Sequence, residues 1–386
     1  MLDKSVTKEG DKLLLRVETY KSGPFFFSGR YDRGKIGPLA LEALLRHQMV
    51  SELPILPNLA SSLHQDLIRR SIFGTAAIEG NPLSEERVGQ VISQGDVAQA
   101  SERAEREVQN LKRAYDELRS VAPAGSELRL EESDIKRWHA VITEGIPHEH
   151  NIPGQYRRNR VQVGDADHGG VYTPPKIHED IARLMEAFAT WINGADVVFL
   201  GPYVRAGLSH YYLGLIHPFA DGNGRTARLV EALMLQAAGI SYVPAMLSNY
   251  YYRHIDDYFW AFSNTRKNKE HDVTHFLEFM LKGVTESLEE TKDVILYFIR
   301  KLSLRDYYHL LSSQGSLKRR QRDLLNLLLD SLGPFSLADL FAKPPFQILY
   351  RNVSERTARR DLKELCDQKL LICKKDEYSI NLRALG

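Results

Sequence analysis

Cysteine is nearly absent from this chain of 386 residues, which has only Cys366 and Cys373, seven apart and close to the C-terminus. Two such cysteines make neither a disulfide framework nor a Cys-x2-Cys metal pair, and they fit a reducing compartment. Net charge is almost as scarce. The 51 Lys and Arg against 50 Asp and Glu leave +1 at neutral pH, so no global attraction to polyanions is expected. No apolar run approaches the ~18 residues of a spanning helix. The start, Met1-Leu2-Asp3-Lys4-Ser5, has no apolar signal-peptide core. These absences predict a soluble cytoplasmic protein with no membrane partner. A Gly-x4-Gly-Lys-Ser/Thr phosphate loop and internal repeats are also missing.

What is present is concentrated in one run, His217-Pro218-Phe219-Ala220-Asp221-Gly222-Asn223-Gly224-Arg225-Thr226-Ala227-Arg228. Val204, Leu208, Tyr211, Tyr212 and Leu215 before it, and Ala227, Val230, Leu233, Met234 and Ala237 after it, repeat at helical spacing. Between these helices Gly222-Asn223-Gly224 must turn the chain sharply. Successive N–H groups in such a turn form an anion nest, reinforced by the positive end of the following helix. Arg225 and Arg228 stand on that helix's first turn, where cations are disfavoured unless a polyanion joins them. Asp221 offers a hard oxygen suited to Mg2+, and His217 titrates near neutrality, as a general base must. The run is therefore read as a triphosphate site carrying its own base. A zinc reading of His217 with Asp221 lacks a third ligand nearby.

At these residues the chain resembles the Fic-domain family, whose signature is His-Pro-Phe-x-Asp-Gly-Asn-Gly-Arg-x-x-Arg. The resemblance implies a mainly α Fic core with a β-hairpin flap. It implies transfer of AMP from ATP to a Ser, Thr or Tyr hydroxyl of a target protein. In that reading His217 is the base and Asp221 holds Mg2+. Gly222, Asn223, Gly224 and Arg225 hold the α- and β-phosphates, and Arg228 reaches the γ-phosphate. Thr75-Ala76-Ala77-Ile78-Glu79-Gly80-Asn81 resembles the family's inhibitory motif, on a helix stripe of Leu67, Ser71, Thr75 and Glu79 that ends at Gly80 and Pro82. The expectation is that Glu79 takes Arg228 and denies it to the γ-phosphate. Residues 152–176 resemble the flap, with strand-like runs at 160–163 and 171–173 and Thr173 as a nucleotide contact. An exposed hairpin edge can add an extended target segment as a strand. Tyr258 and Phe259 stand where the family has a Tyr-Tyr pair lining the adenine pocket. Relatives with the inhibitory glutamate can also remove AMP, and inhibition in cis or across a homodimer is open at this stage, as is the choice of base.

Outside the core, residues 12–18 read as a strand and 39–47 as an amphipathic stretch, with the inhibitory helix at about 64–80. Residues 1–98 are read as an N-terminal region, 99–312 as the catalytic core and 317–386 as a separate unit. In the last, Leu324, Leu325, Leu328 and Leu332 share a helix face, and Ser336 caps a second helix to Ala342. Ser354 caps a third that buries Ala358, Leu362 and Leu365. Residues 371–374 and 378–382 form a hairpin. This order resembles a winged helix-turn-helix, with Arg356, Arg359, Arg360 and Lys363 as candidate DNA contacts. Residues 351–375 carry eight Lys/Arg against four Asp/Glu, an excess of four. Such a face would grip phosphates, while protein contact or dimerisation would use the same fold without DNA.

Overall fold

The structure, a computed structural model, describes residues 13–94, 102–121, 123–126, 128–240, 242–330 and 333–385. The chain divides into two compact units: one runs up to Glu52 and over Leu56–Thr291, the other holds Leu53–Ile55 and Lys292–Gly386. Among the described residues no helix is long and apolar enough to cross a membrane.

The first unit opens with an antiparallel hairpin, β1 (Leu14–Val17) and β2 (Phe25–Ser28), that pairs Leu15 with Phe27. Of the strand expected over 12–18, Lys12 lies outside the described residues. Helices follow: α1 (Arg33–Ser51), α2 (Pro57–Ile78), α3 (Glu85–Gln94), α4 (Arg103–Val121), α5 (Glu132–Thr143), α6 (His178–Ile192), α7 (Ala195–Val198), α8 (Pro202–Ile216), α9 (Asn223–Ala237), α10 (Leu247–Arg253), α11 (Ile255–Lys267) and α12 (Thr274–Ser313), the last shared with the second unit. The architecture is mainly α. Helices α8 and α9 are buried nearly all round, from Tyr203 to Ile216 and from Asn223 to Ala237, as central helices of a large core must be. Everything else in the unit packs outward from this pair.

Helix α2 starts with Pro57 at its first turn and buries Leu63, Leu67, Ser71, Ile72, Thr75 and Ala76. Gly74 lies against the backbone of α10, where a Cβ would come within 2.6 Å of the Ser248 carbonyl oxygen and 2.8 Å of Asn249. The Ser71 and Tyr115 hydroxyls meet at 2.7 Å. Glu79 caps the helix and Gly80 leaves it at φ +81°, the left-handed exit that glycine favours. Beyond α5 the flap is less of a hairpin than its alternation suggests. Val163 and Tyr172 alone form an antiparallel bridge, with N–H···O distances of 2.9 and 2.7 Å. The glycines at 164, 169 and 170 all take positive φ and pull the arms out of register.

In the second unit α13 (Arg319–Asp330), β3 (Phe335–Ser336), α14 (Asp339–Ala342), α15 (Phe346–Tyr350), α16 (Glu355–Asp367), β4 (Leu371–Lys374) and β5 (Glu377–Ile380) enclose a core that includes Leu304, Tyr308, Leu324, Leu328, Leu340, Tyr350, Leu362 and Leu365. Leu332, expected on the first helix face, lies outside the described residues. Its three strands run β3-β5-β4. Ser336 sits in β3 rather than at a helix N-cap, because its strand pairs Phe335 with Tyr378; its hydroxyl still receives the Asp339 N–H at 3.3 Å. Five-residue α15 has no periodic signature and was not expected. Ser354 caps α16 by accepting from the Thr357 N–H at 3.3 Å. The cysteines are not free. Cys366 and Cys373 form a disulfide because β4 folds back on the end of α16 and brings their Cα atoms to 6.3 Å.

Candidate functional site

The geometry at 217–228 begins with a strained residue. His217 closes α8 at φ 49°, ψ 59°, a left-handed conformation that costs a side-chain-bearing residue roughly 1–2 kcal/mol. Its neighbours over-determine it. The His217 N–H bonds the Leu213 carbonyl at 3.0 Å, and Arg157 Nε donates to the His217 carbonyl at 2.8 Å. Arg157 is buried, and its other nitrogens hold both arms of the flap through the carbonyls of Asn159 and Pro175, each at 2.8 Å. Burial lowers this guanidinium to about 10. The His217 ring places Nδ1 at 3.3 Å from the Gly214 carbonyl. A carbonyl only accepts, so Nδ1 carries the proton and Nε2 keeps the free lone pair. Burial depresses this imidazole to about 4, with Arg157 adding to the effect. A neutral imidazole with its lone pair on Nε2 results.

The loop that follows is held by its own side chains. The Asn223 amide exchanges two 2.8 Å bonds with the Phe219 backbone, accepting from its N–H and donating to its carbonyl. Gly222 takes φ +76° as the N-cap of α9, and the Thr226 hydroxyl donates to its carbonyl. His139 stacks face to face on Phe219 at 3.6 Å, accepts from the Gly154 N–H at 2.9 Å and lies 3.0 Å from the Asp221 carbonyl. Burial lowers it to about 4 as well, so it stays neutral and donates from Nε2. Asp221 Oδ1 accepts from Gly222 N and from Arg225, and Oδ2 faces Arg103 at 3.2 Å. Burial would raise this carboxyl, but Arg225 and its neighbours outweigh that and hold it low. Buried Arg225 also lies 3.5 Å from Glu107.

Glu79 enters this arrangement from α2. Arg228 donates to Glu79 Oε1 at 2.6 Å, to the Thr75 hydroxyl at 2.7 Å and to the Thr75 carbonyl at 3.2 Å. The Glu79 side chain keeps 29% exposure while Arg228 keeps 2%. Burial pushes Glu79 up, but Arg228 and then Arg225 pull it down further, so it is ionised. The carboxylate lies so close to Gly224 that a Cβ there would collide with Oε1. It occupies the mouth of the anion nest.

His217, Glu79, Gly224, Arg228, Tyr258 and Phe259 border one cavity of about 300 Å³, which the flap residues Val163, His168 and Tyr172 also line. Asp221, Gly222, Asn223 and Arg225 continue the loop beyond that lining. Thr75 lies beneath Arg228, and Gly80 follows Glu79 at the exit of α2. Thr173 does not line the cavity. Successive residues of an extended arm point to opposite sides, so Tyr172 faces in and Thr173 is exposed. His168 joins the flap to α11, with Nδ1 at 2.9 Å from Asp165 and Nε2 at 3.1 Å from Asp256, and packs against Phe259. These partners, Asp165 first, raise the imidazole. Arg356, Arg359, Arg360 and Lys363 belong to the second unit and are exposed on α16, where Arg359 pairs with Glu355 at 2.6 Å and Arg360 lies 3.8 Å from Glu364. Sequence reading missed His139, Arg157, His168, His210 and Glu231, which carry no local motif.

Residues 129–235 match the Fic/DOC family. The chain is 36% identical over 149 residues to the protein adenylyltransferase Fic of Drosophila erecta, a stretch covering 37% of this chain and 25% of that protein. It is 34% identical over 145 residues to the protein of the same name from Nematostella vectensis, covering 37% and 30%. The matched stretch thus spans less than a third of either relative. The fold is similar to that of a Fic family protein from Desulfovibrio desulfuricans, with TM-score 0.55 and 21% identity over 90% of this chain and 96% of that one. It is also similar to residues 134–508 of Fic-1 from C. elegans, with TM-score 0.52 and 20% identity over 67% and 72%. At those identities the structural likeness speaks to fold alone.

Proposed function

We propose that this chain, whose residues 129–235 match the Fic/DOC family, is an auto-inhibited protein adenylyltransferase. The observation that carries the reading is the 2.6 Å pair of Arg228 with Glu79 inside the cavity that also holds His217. In the reaction a target Ser, Thr or Tyr hydroxyl attacks the α-phosphorus of ATP. His217 Nε2 takes the hydroxyl proton, the bond from the α-phosphorus to its bridging oxygen breaks, and pyrophosphate leaves. The Gly222–Gly224 turn and Arg225 cradle the α- and β-phosphates, and Arg228 takes the γ-phosphate once Glu79 releases it. Asp221 is a hard oxygen donor, and no group of three or more His, Cys, Asp or Glu side chains that could hold a metal occurs among the described residues. That donor set fits Mg2+ held mainly by phosphates and water, a cation that would neutralise phosphate charge. Tyr258 and Phe259 border the base. The experiment is a gel comparison of wild type, Glu79→Gly and His217→Ala with ATP labelled at the α-phosphate, alone and with cytoplasmic extract. Label rising in Glu79→Gly and absent in His217→Ala is expected. Equal label in all three would reject the reading.

A second reading concerns the C-terminal unit. Its helix order, three-stranded sheet and exposed Arg356, Arg359, Arg360 and Lys363 on a Ser354-capped helix support a winged helix that binds DNA through phosphates.

A further inference from the structure

Arg228 is the residue on which both inhibition and γ-phosphate binding turn, yet most of what holds it belongs to the inhibitory helix. Three of its contacts come from α2 and its cap: the Thr75 hydroxyl on Nε, and the Thr75 carbonyl and Glu79 on NH2. Any event that withdraws Glu79 by moving α2 takes the Thr75 bonds with it. A buried arginine on a long flexible stem would then have no fixed direction, and a ligand would have to order it at an entropic cost.

One contact comes from elsewhere. Arg228 NH1 reaches the Tyr258 hydroxyl of α11 at 3.4 Å. That hydroxyl meets His210 Nε2 of α8 at 2.8 Å, and His210 Nδ1 lies 3.1 Å from Glu231 Oε1, one turn along α9 from Arg228 itself. The Tyr251 hydroxyl of α10 donates to the same Glu231 oxygen at 2.9 Å. His210 and Glu231 are 1% and 2% exposed at their side chains. A guanidinium only donates, so the Tyr258 oxygen accepts from Arg228. His210 Nε2 stands behind that hydroxyl at 2.8 Å, while its Nδ1, though 3.1 Å from Glu231 Oε1, makes no hydrogen bond. Tyr258 is thus tied to α8 and reaches the nitrogen of Arg228 not used by α2.

We infer that Tyr258, backed by His210, is the positioning residue that holds Arg228 aimed at the γ-phosphate after Glu79 has left. Glu79 and Thr75 are the exchangeable partners of Arg228, and Tyr258 is the permanent one. This rests on the reading of Arg228 as the γ-phosphate ligand, and it assigns Tyr258 a role distinct from bordering the base. A base contact affects ATP and ADP alike, whereas aim at the γ-phosphate affects ATP only.

The test is calorimetric binding of ATP and ADP to full-length Glu79→Gly/His217→Ala, in which turnover is blocked, with and without Tyr258→Phe. The parent is expected to prefer ATP to ADP. Tyr258→Phe should cut that preference by about tenfold, the worth of one hydrogen bond to a charged group, while leaving ADP affinity within about twofold. His210→Phe in the same parent keeps a ring behind Tyr258 but removes the partner of its hydroxyl, and should cut the preference in the same sense; it carries the comparison if Tyr258→Phe fails to fold. An ATP preference unchanged in a folded variant overturns the inference, as does a parallel loss of ATP and ADP affinity. A parent with no ATP preference overturns the γ-phosphate reading itself, and the inference falls with it.

Discussion

His217 and His139 are both buried beside cations, and burial depresses each imidazole to about 4. The sign of the consequence follows from linkage. In the unfolded chain these rings protonate near 6.5, so as pH falls below that value the unfolded state binds protons that the folded state refuses. Stability therefore drops between about pH 6.5 and 4 and levels off below, by on the order of 3 kcal/mol for fully buried His139. Urea midpoints near pH 7 and pH 4.5 should differ accordingly, and His139→Gln should reduce the difference; a flat profile in wild type would contradict the burial argument. The same depression keeps His217 neutral throughout the physiological range. Nitrogen-detected NMR of the free protein should find His217 still neutral at pH 5.5, carrying its proton on Nδ1. The motif residues were legible because base, carboxylate, turn and arginines lie within twelve positions. His139 and Arg157 were not, because each acts on that loop from about 60 to 80 residues away through backbone carbonyls, which leave no pattern in sequence.

Among the elements, α2 is the one that carries Glu79 to Arg228, and on the proposed function it would govern access to the site. Its seating depends on the close approach of Gly74 to the α10 backbone, where no flexible side chain is available to give way. Gly74→Ala should push the helix outward, costing about 1–3 kcal/mol of stability as an overpacked contact does. It should also raise AMP transfer by loosening Glu79, although the substitution touches no active-site atom. Denaturant titration and α-phosphate labelling of the one variant measure both; lower stability with transfer at or below the wild-type rate would contradict the coupling. The helix that ends before Gly80 was legible from its apolar stripe and its glycine exit. The flap was overestimated, since alternation of Val163 and Tyr172 with polar neighbours reads as two strands while glycines with positive φ allow one bridge. The missed α15 is too short for any period to register.

At the scale of the whole molecule, a helical unit carrying the cavity is joined in sequence to a second unit with its own core. The sequence reading starts that unit at 317, after a Ser/Gly-rich break, whereas here it takes in residues from Lys292, inside the long helix α12 that no sequence signal interrupts. The Cys366–Cys373 disulfide was not legible, because seven-residue spacing says nothing about a strand folding back on α16. If the second unit binds DNA through phosphates, affinity of the full chain for duplex DNA should fall linearly with salt on a log–log plot. Arg356→Ala should lower the slope by about one, and Arg359→Ala by less because Glu355 already holds that guanidinium. Salt-independent binding would contradict this. The central claim is that Glu79 restrains transfer by occupying Arg228. A double-mutant cycle tests it most directly: initial rates of AMP incorporation for wild type, Glu79→Gly, Arg228→Ala and the double variant. The account predicts a large gain from Glu79→Gly that vanishes when Arg228 is already alanine. A gain of equal size in both backgrounds would contradict it.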